Sequence, residues 1–398
     1  MEPNAPWESI RLYTRRPIFL RPFQLHSNTL HHVHTPEERQ LHDCRSRITQ
    51  YEESVVNGRN WEYYKKVVNP CELVYTQKKY ATFPDSLCFL KPLSRSYFKM
   101  IEMMDLIDFF KLFPGETIRT AHVCEGPGGF IEALFDEAGK RGRKIQTSVA
   151  MTLKSKRTNI PGWKRASYFL QKNKNVHILF GEDDTGDIIR PENQQYFIDY
   201  VAEGGKAHVY TADGGFDFSC DYMKQEEMVF PLLLASTKIG LEVLKVGGVF
   251  VLKLFDYYYR STLDLIHLLS TLFDEWTLYK PGMSRPCNPE HYFIGKGFTG
   301  CSEEILDTLR LWCSVVDDKQ PLDSLFAQNE PMDEMIRELQ HKSFQIQTEY
   351  LERVFHMIEK NDDALIQQHL QQNEKTSYNW CVRFNVPMHP HRRRLIEE

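Results

Sequence analysis

The chain has 398 residues, 41% hydrophobic and 26% charged, with a formal net charge of -5, which fits one main folded domain with extensions. An acidic total argues against a protein that coats nucleic acid indiscriminately. The 9 cysteines contain no CxxC pair, which argues against a disulfide framework or a structural zinc site, and no apolar run is long enough to span a bilayer.

Residues 1–92 read as an N-terminal extension, polar, punctuated by proline and rich in histidine between His26 and His34. The stretch Met1 to Pro22 lacks an apolar core and is interrupted by Arg11, Arg15, Arg16 and Arg21, so it does not read as a secretory leader. With the unpaired cysteines, this predicts a soluble intracellular protein. A helix is predicted from Thr35-Pro36-Glu37-Glu38, with Thr35 as N-cap and Pro36 in the first turn.

Residues 93–300 form the predicted main domain. Strands are expected over Thr117–Val123, Ile145–Leu153, Val176–Phe180, Ala207–Thr211, Val249–Leu254 and His291–Ile294. Helical patterns follow from Phe130, over Gln194–Val201 and over Lys224–Leu244. Alternation of this kind predicts an α/β fold with a mostly parallel, doubly wound sheet. Residues 301–398 form a helical C-terminal region, whose Met332–Lys360 stretch has apolar residues at helical spacing and is expected to pack on the main domain.

Five segments carry chemistry. Cys124-Glu125-Gly126-Pro127-Gly128-Gly129-Phe130 joins a strand to a helix, where glycine lets backbone amides approach a ligand; a tight turn alone would also explain it. It departs from the GxGxxG dinucleotide pattern, which disfavours hydride transfer. Asp213, before Gly214-Gly215, ends a strand at the crevice of such a sheet, or merely caps the next turn. Lys253 ends an otherwise apolar strand, and burial together with a cationic neighbour is expected to lower its pKa toward use as a base. Glu290 stands at the entrance to the last strand. Lys99 lies in Ser94-Arg95-Ser96-Tyr97-Phe98-Lys99, at the opening of the main domain. Between Lys140 and Lys174 there is no Asp or Glu but a run of Lys and Arg, Lys154, Lys156 and Arg157 among them; this is either a phosphate contact or a solvated surface.

Taken in order, Lys99, the glycine-rich loop, Asp213, Lys253 and Glu290 resemble the RrmJ/FtsJ superfamily of ribose 2′-O-methyltransferases. Phe180-Gly181-Glu182-Asp183-Asp184-Thr185-Gly186-Asp187-Ile188, Thr211 to Asp217 and Phe250-Val251-Leu252-Lys253 further resemble the Adrift-type mRNA cap methyltransferases, cellular and large-DNA-virus members alike. The resemblance implies a Rossmann-like methyltransferase fold and a reaction needing no metal. S-adenosyl-L-methionine would be held by Cys124, Glu125, Gly126, Pro127, Gly128, Gly129 and Phe130, with Asp187, or alternatively Asp184, at the adenosine. It implies Lys253 as general base, Lys99 close by and depressing its pKa, and Asp213 and Glu290 holding the lysines. Arg285, Lys154, Lys156 and Arg157 are candidates for RNA phosphates, and Trp163, Tyr257 and Tyr258 are aromatics available to a cap. Capped mRNA is the expected partner, with no membrane and with a capping-machinery protein as a further candidate. A ribosomal or transfer RNA ribose methyltransferase and an inactive RNA-binding scaffold are the alternative readings.

Overall fold

Strands that are apolar from end to end must be covered on both faces, and this requirement sets the architecture. The computed structural model describes residues 12–14, 35–53, 55–77, 80–115, 117–154, 162–215, 225–316 and 330–390. In chain order the elements are β1 (Tyr13–Thr14), α1 (Pro36–Glu52), α2 (Trp61–Val67), α3 (Ser96–Leu106), α4 (Phe109–Leu112), β2 (Ile118–Val123), α5 (Gly129–Lys140), β3 (Ile145–Met151), α6 (Ser167–Lys172), β4 (Val176–Leu179), α7 (Pro191–Gly204) and β5 (Ala207–Ala212). There follow α8 (Gln225–Val243), β6 (Leu244–Leu254), α9 (Arg260–Thr271), β7 (Phe273–Tyr279), β8 (His291–Phe298), α10 (Glu303–Val316), α11 (Glu330–Lys360) and α12 (Asp363–Arg383).

The strands form one sheet in the order β1-β7-β8-β6-β5-β2-β3-β4. From β4 across to β6 all neighbours run parallel; β8 then pairs antiparallel with both β6 and β7, and β1 with β7. This is the mostly parallel, Rossmann-like sheet expected from the sequence. Strand order reverses between β2 and β5, and a ligand crevice opens at the carboxyl ends of strands at such a switch point.

Local chemistry sets the element boundaries. The Thr35 hydroxyl accepts from the Glu38 amide at 3.2 Å, so α1 starts at the predicted cap. Gly128, at φ +102°, lets the chain turn from β2 into α5. The α7 helix begins on Pro191 and is capped at its carboxyl end by Gly205. Every residue of β5 is buried, as a central parallel strand requires. Alternation along the strands divides the core in two. Val209, Val249, Val251 and Ile294 face one cluster, shared with α3 and α5 and with α1, α2, α11 and α12. Tyr210, Phe250, Leu252 and Phe293 face the other, with α7, α8, α9 and α10.

The two terminal segments meet. α1 packs on α11, and α2 touches both α11 and α12. Arg45 of α1 makes a buried bidentate pair with Asp256 at 2.8 and 2.9 Å, and reaches Gln347 of α11 at 2.9 Å. Gln347 in turn donates to the Cys287 carbonyl at 2.8 Å. Ser343 of α11 bonds His291 at 2.9 Å. The helical layer is thus tied to the segments that follow β6 and precede β8. Among the described residues no helix is long and apolar enough to cross a membrane.

Candidate active site

Four side chains meet at the crevice, each delivered by a different element. Lys99 comes from the first turn of α3, Asp213 follows β5, Lys253 is the penultimate residue of β6, and Glu290 immediately precedes β8. Lys99 Nζ lies 2.6 Å from Glu290 Oε1; Lys253 Nζ lies 3.3 Å from Glu290 Oε2 and 3.3 Å from Asp213 Oδ1. The four alternate in charge, and all are largely shielded, with side-chain exposures of 11–14%. Tyr292 donates to Asp213 Oδ1 at 2.7 Å and accepts from Lys99 at 3.4 Å. Tyr292 stands two residues beyond Glu290, so the pleat puts both on one face. The Lys253 ammonium also lies 5.3 Å from the centre of the Phe255 ring.

Electrostatics corrects one expectation. Burial alone would lower the Lys253 pKa, but Asp213 and Glu290 outweigh it and hold Lys253 above the ordinary lysine range. Burial likewise works against ionised Glu290, yet Lys99 and Lys253 hold its carboxyl well below the usual range. The site therefore rests as a closed ion network with Lys253 protonated. The sequence had suggested a depressed lysine because it showed the cationic neighbour but not the two carboxylates between which Lys253 sits.

The glycine-rich loop borders this network. A Cβ on Gly214 would come 3.3 Å from Cys124 Sγ, and one on Gly215 would come 3.8 Å from Lys253 Nζ. Glu125 is buried; its Oε1 accepts from the Thr211 hydroxyl at 2.7 Å while Oε2 is buried without a hydrogen-bond partner. Burial, then the charge of Asp213, pushes the Glu125 carboxyl well above its usual range. Behind it runs a buried chain that motif reading missed. His122 bonds Thr211 at 2.7 Å and Thr120 at 2.8 Å, and Thr120 bonds Ser148 at 2.8 Å. Burial lowers the His122 pKa to about 3, so the ring is neutral.

Other predicted residues stand apart. Asp187, half-buried in the segment after β4, accepts from the Ile189 amide at 3.0 Å. Lys154 is exposed, pairs with Asp184 at 2.6 Å and lies over the Phe180 ring. Arg285 is held 3.3 Å from both Glu62 and the buried Glu72, an acid that Arg95 shares at 3.3 Å. Lys156 and Arg157 lie outside the described residues. Tyr257 is core, and Trp163 packs beside Gly128.

The sequence is similar to named proteins. A zebrafish (Danio rerio) cap-specific mRNA (nucleoside-2′-O-)-methyltransferase 1 is 32% identical over 241 residues, which are 55% of this chain and 28% of the zebrafish protein. The human protein of the same name is 31% identical over 248 residues, 58% and 29% of the two chains. The Dictyostelium discoideum protein is 31% identical over 230 residues, 54% and 30%. The matched part is under a third of the length of each of these relatives. The FtsJ-like methyltransferase family matches residues 92–298, from just before α3 to the end of β8 and just over half of the sequence, and the chain belongs to that family.

Proposed function

We propose that this protein transfers a methyl group from S-adenosylmethionine to the ribose 2′-hydroxyl of RNA, at a cap-proximal nucleotide of mRNA. The observation that carries the reading is the alternating Lys99–Glu290–Lys253–Asp213 network beside the glycine-rich loop. The names of the similar zebrafish, human and Dictyostelium proteins favour capped mRNA over ribosomal or transfer RNA. The compartment would be the one where capped RNA is made, nuclear or cytoplasmic.

The cofactor carries an ammonium and a sulfonium, and the residues present suit such a cation. Glu125 offers a buried carboxyl oxygen without a partner, and a cation beside it would restore its charge. Gly128 is the N-cap of α5 with no side chain to cover the first-turn amides. Cys124 to Phe130 would hold the methionine part, and Asp187 the adenosine. When bound, the cofactor supplies a methyl group already activated by a positive sulfur. The protein's own task is then positioning and proton removal. Lys99 orients the 2′-hydroxyl, Lys253 Nζ takes its proton, and Asp213 and Glu290 fix the two ammonium groups. Because the resting network holds Lys253 protonated, the rate should rise with pH as Lys253 is freed. Among the cations suggested for RNA phosphates, Lys154 is exposed, whereas Arg285 is engaged by two acids.

Transfer of labelled methyl to a short capped RNA tests the reading. Label that disappears when the first two riboses are 2′-deoxy supports it. Equal label on uncapped RNA would move the substrate to structural RNA. Cofactor binding without transfer would favour a scaffold.

A further inference from the structure

Lys280 follows β7 directly, at the start of the loop that returns to β8. Its ammonium donates to the Asn288 carbonyl at 2.7 Å and to the Glu290 carbonyl at 2.9 Å, with Ser284 Oγ at 3.5 Å. The two carbonyls flank Pro289, where the chain turns into β8. Among the described residues no carboxylate lies within ion-pair distance of Lys280. A half-buried cation bonded chiefly to backbone is costly, and the cost must be offset by what the cation holds in place. Here it clamps both ends of the peptide pair that carries Glu290, whose side chain bridges Lys99 and Lys253.

The charge has a second consequence. The titratable and charged groups that face Lys280 are Glu290, Lys99, Cys287, Asp256 and His291. With Lys280 the site holds a third ammonium beside Lys99 and Lys253, against the carboxylates of Asp213 and Glu290. A third cation near Glu290 helps to keep its carboxyl ionised.

We propose that Lys280 is a positioning residue for this site: it fixes the backbone of Glu290 between the two catalytic lysines, and its charge favours the ionised carboxylate that holds them. The proposal rests on the reading of Lys253 as the base. Burial, opposed by Glu290 and reinforced by Lys99, brings Lys280 itself down to about 8, so its charge is present at neutral pH and fades in alkali.

The test uses the full chain with Lys280→Met, Lys280→Gln and Lys280→Arg, each checked by thermal unfolding. Two readouts are taken. One is the pH dependence of kcat and KM for methyl transfer to capped RNA. The other is trace acetylation of lysines across pH with peptide mass spectrometry, which follows Lys253 whether or not RNA is methylated. The expected result for Lys280→Met is several-fold faster acetylation of Lys99 and Lys253 near neutral pH, because a displaced Glu290 no longer ties up both ammonium groups. A fall in kcat of about tenfold should accompany it, with KM little changed and Lys280→Arg restoring most of the loss. Lys280→Gln, which keeps a donor for the carbonyls but no charge, should recover fold and only part of the shielding of the two lysines, and it replaces Lys280→Met if that variant does not fold. Unchanged acetylation of Lys99 and Lys253 in a folded, uncharged variant overturns the proposal. Wild-type protein that methylates no RNA while Lys253 still responds to Lys280 would instead overturn the functional reading and leave the coupling standing.

Discussion

The Lys253→Arg substitution separates charge from proton transfer. A guanidinium at this position still faces Asp213 and Glu290, now 3.3 Å from the ammonium, so both acids keep a cation and the fold is retained. What is lost is a group able to give up its proton, since a guanidinium stays protonated throughout the working pH range. Positioned general bases contribute roughly 10²–10⁴-fold, so turnover should fall by at least about 100-fold, a barrier increase of about 2.7 kcal/mol. Lys253→Met should lose as much activity and also destabilise the protein by about 3 kcal/mol, because it leaves two shielded carboxylates with one cation fewer. The assay is single-turnover methyl transfer beside thermal unfolding and cofactor binding for both variants. A Lys253→Arg protein that turns over within a few-fold of wild type would refute the base assignment.

Further consequences follow from other contacts. Arg45→Met leaves Asp256 buried without its bidentate partner and should cost about 3–5 kcal/mol by denaturant unfolding; a cost under about 1 kcal/mol would mean that the terminal layer does not brace the segment after β6. Thr211→Val removes the hydroxyl between His122 and Glu125 and should cost about 1–3 kcal/mol, with weaker cofactor binding by calorimetry, while Thr211→Ser stays near wild type. Asp187→Ala should weaken cofactor binding without a change in fold, and unchanged affinity would remove Asp187 from the site. Burial raises the Glu132 carboxyl to about 7, where it accepts from the Leu93 amide at 2.7 Å. Its contribution to stability is complete below the ordinary carboxyl range and is lost as pH rises through about 7. The melting temperature of Glu132→Gln relative to wild type should therefore climb between about pH 5 and pH 8.5.

What could be read in the sequence was whatever a short window contains. A lysine in an apolar strand, an aspartate before two glycines and a glycine-rich strand-to-helix turn each break a local pattern, and each lies at the crevice. β5 and α8 were legible because their apolar runs are continuous. β7 was not: it opens Phe273-Asp274-Glu275, and its strand character comes from pairing with β8 and β1 rather than from its own alternation. The expectation of a lowered Lys253 pKa failed for the same reason. The acids that hold its proton come from positions 213 and 290, and no window around residue 253 contains them. The helical C-terminal region was expected to pack on the main domain, but its closure with α1 through Arg45, Asp256 and Gln347 spans about 300 residues of chain. The chain from Ser148 to Glu125 crosses three strands, and Lys280 bonds backbone carbonyls; neither leaves a residue pattern to find.

The most direct test is to locate the methyl group. A capped RNA and its uncapped counterpart would be treated with the full-length protein and S-adenosylmethionine, digested to nucleotides and capped dinucleotides, and resolved by mass spectrometry. The account predicts a single added methyl on a ribose 2′-oxygen within the first two transcribed nucleotides, dependent on the cap and absent with Lys253→Arg. A methyl group on a base, or on riboses regardless of the cap, would contradict it.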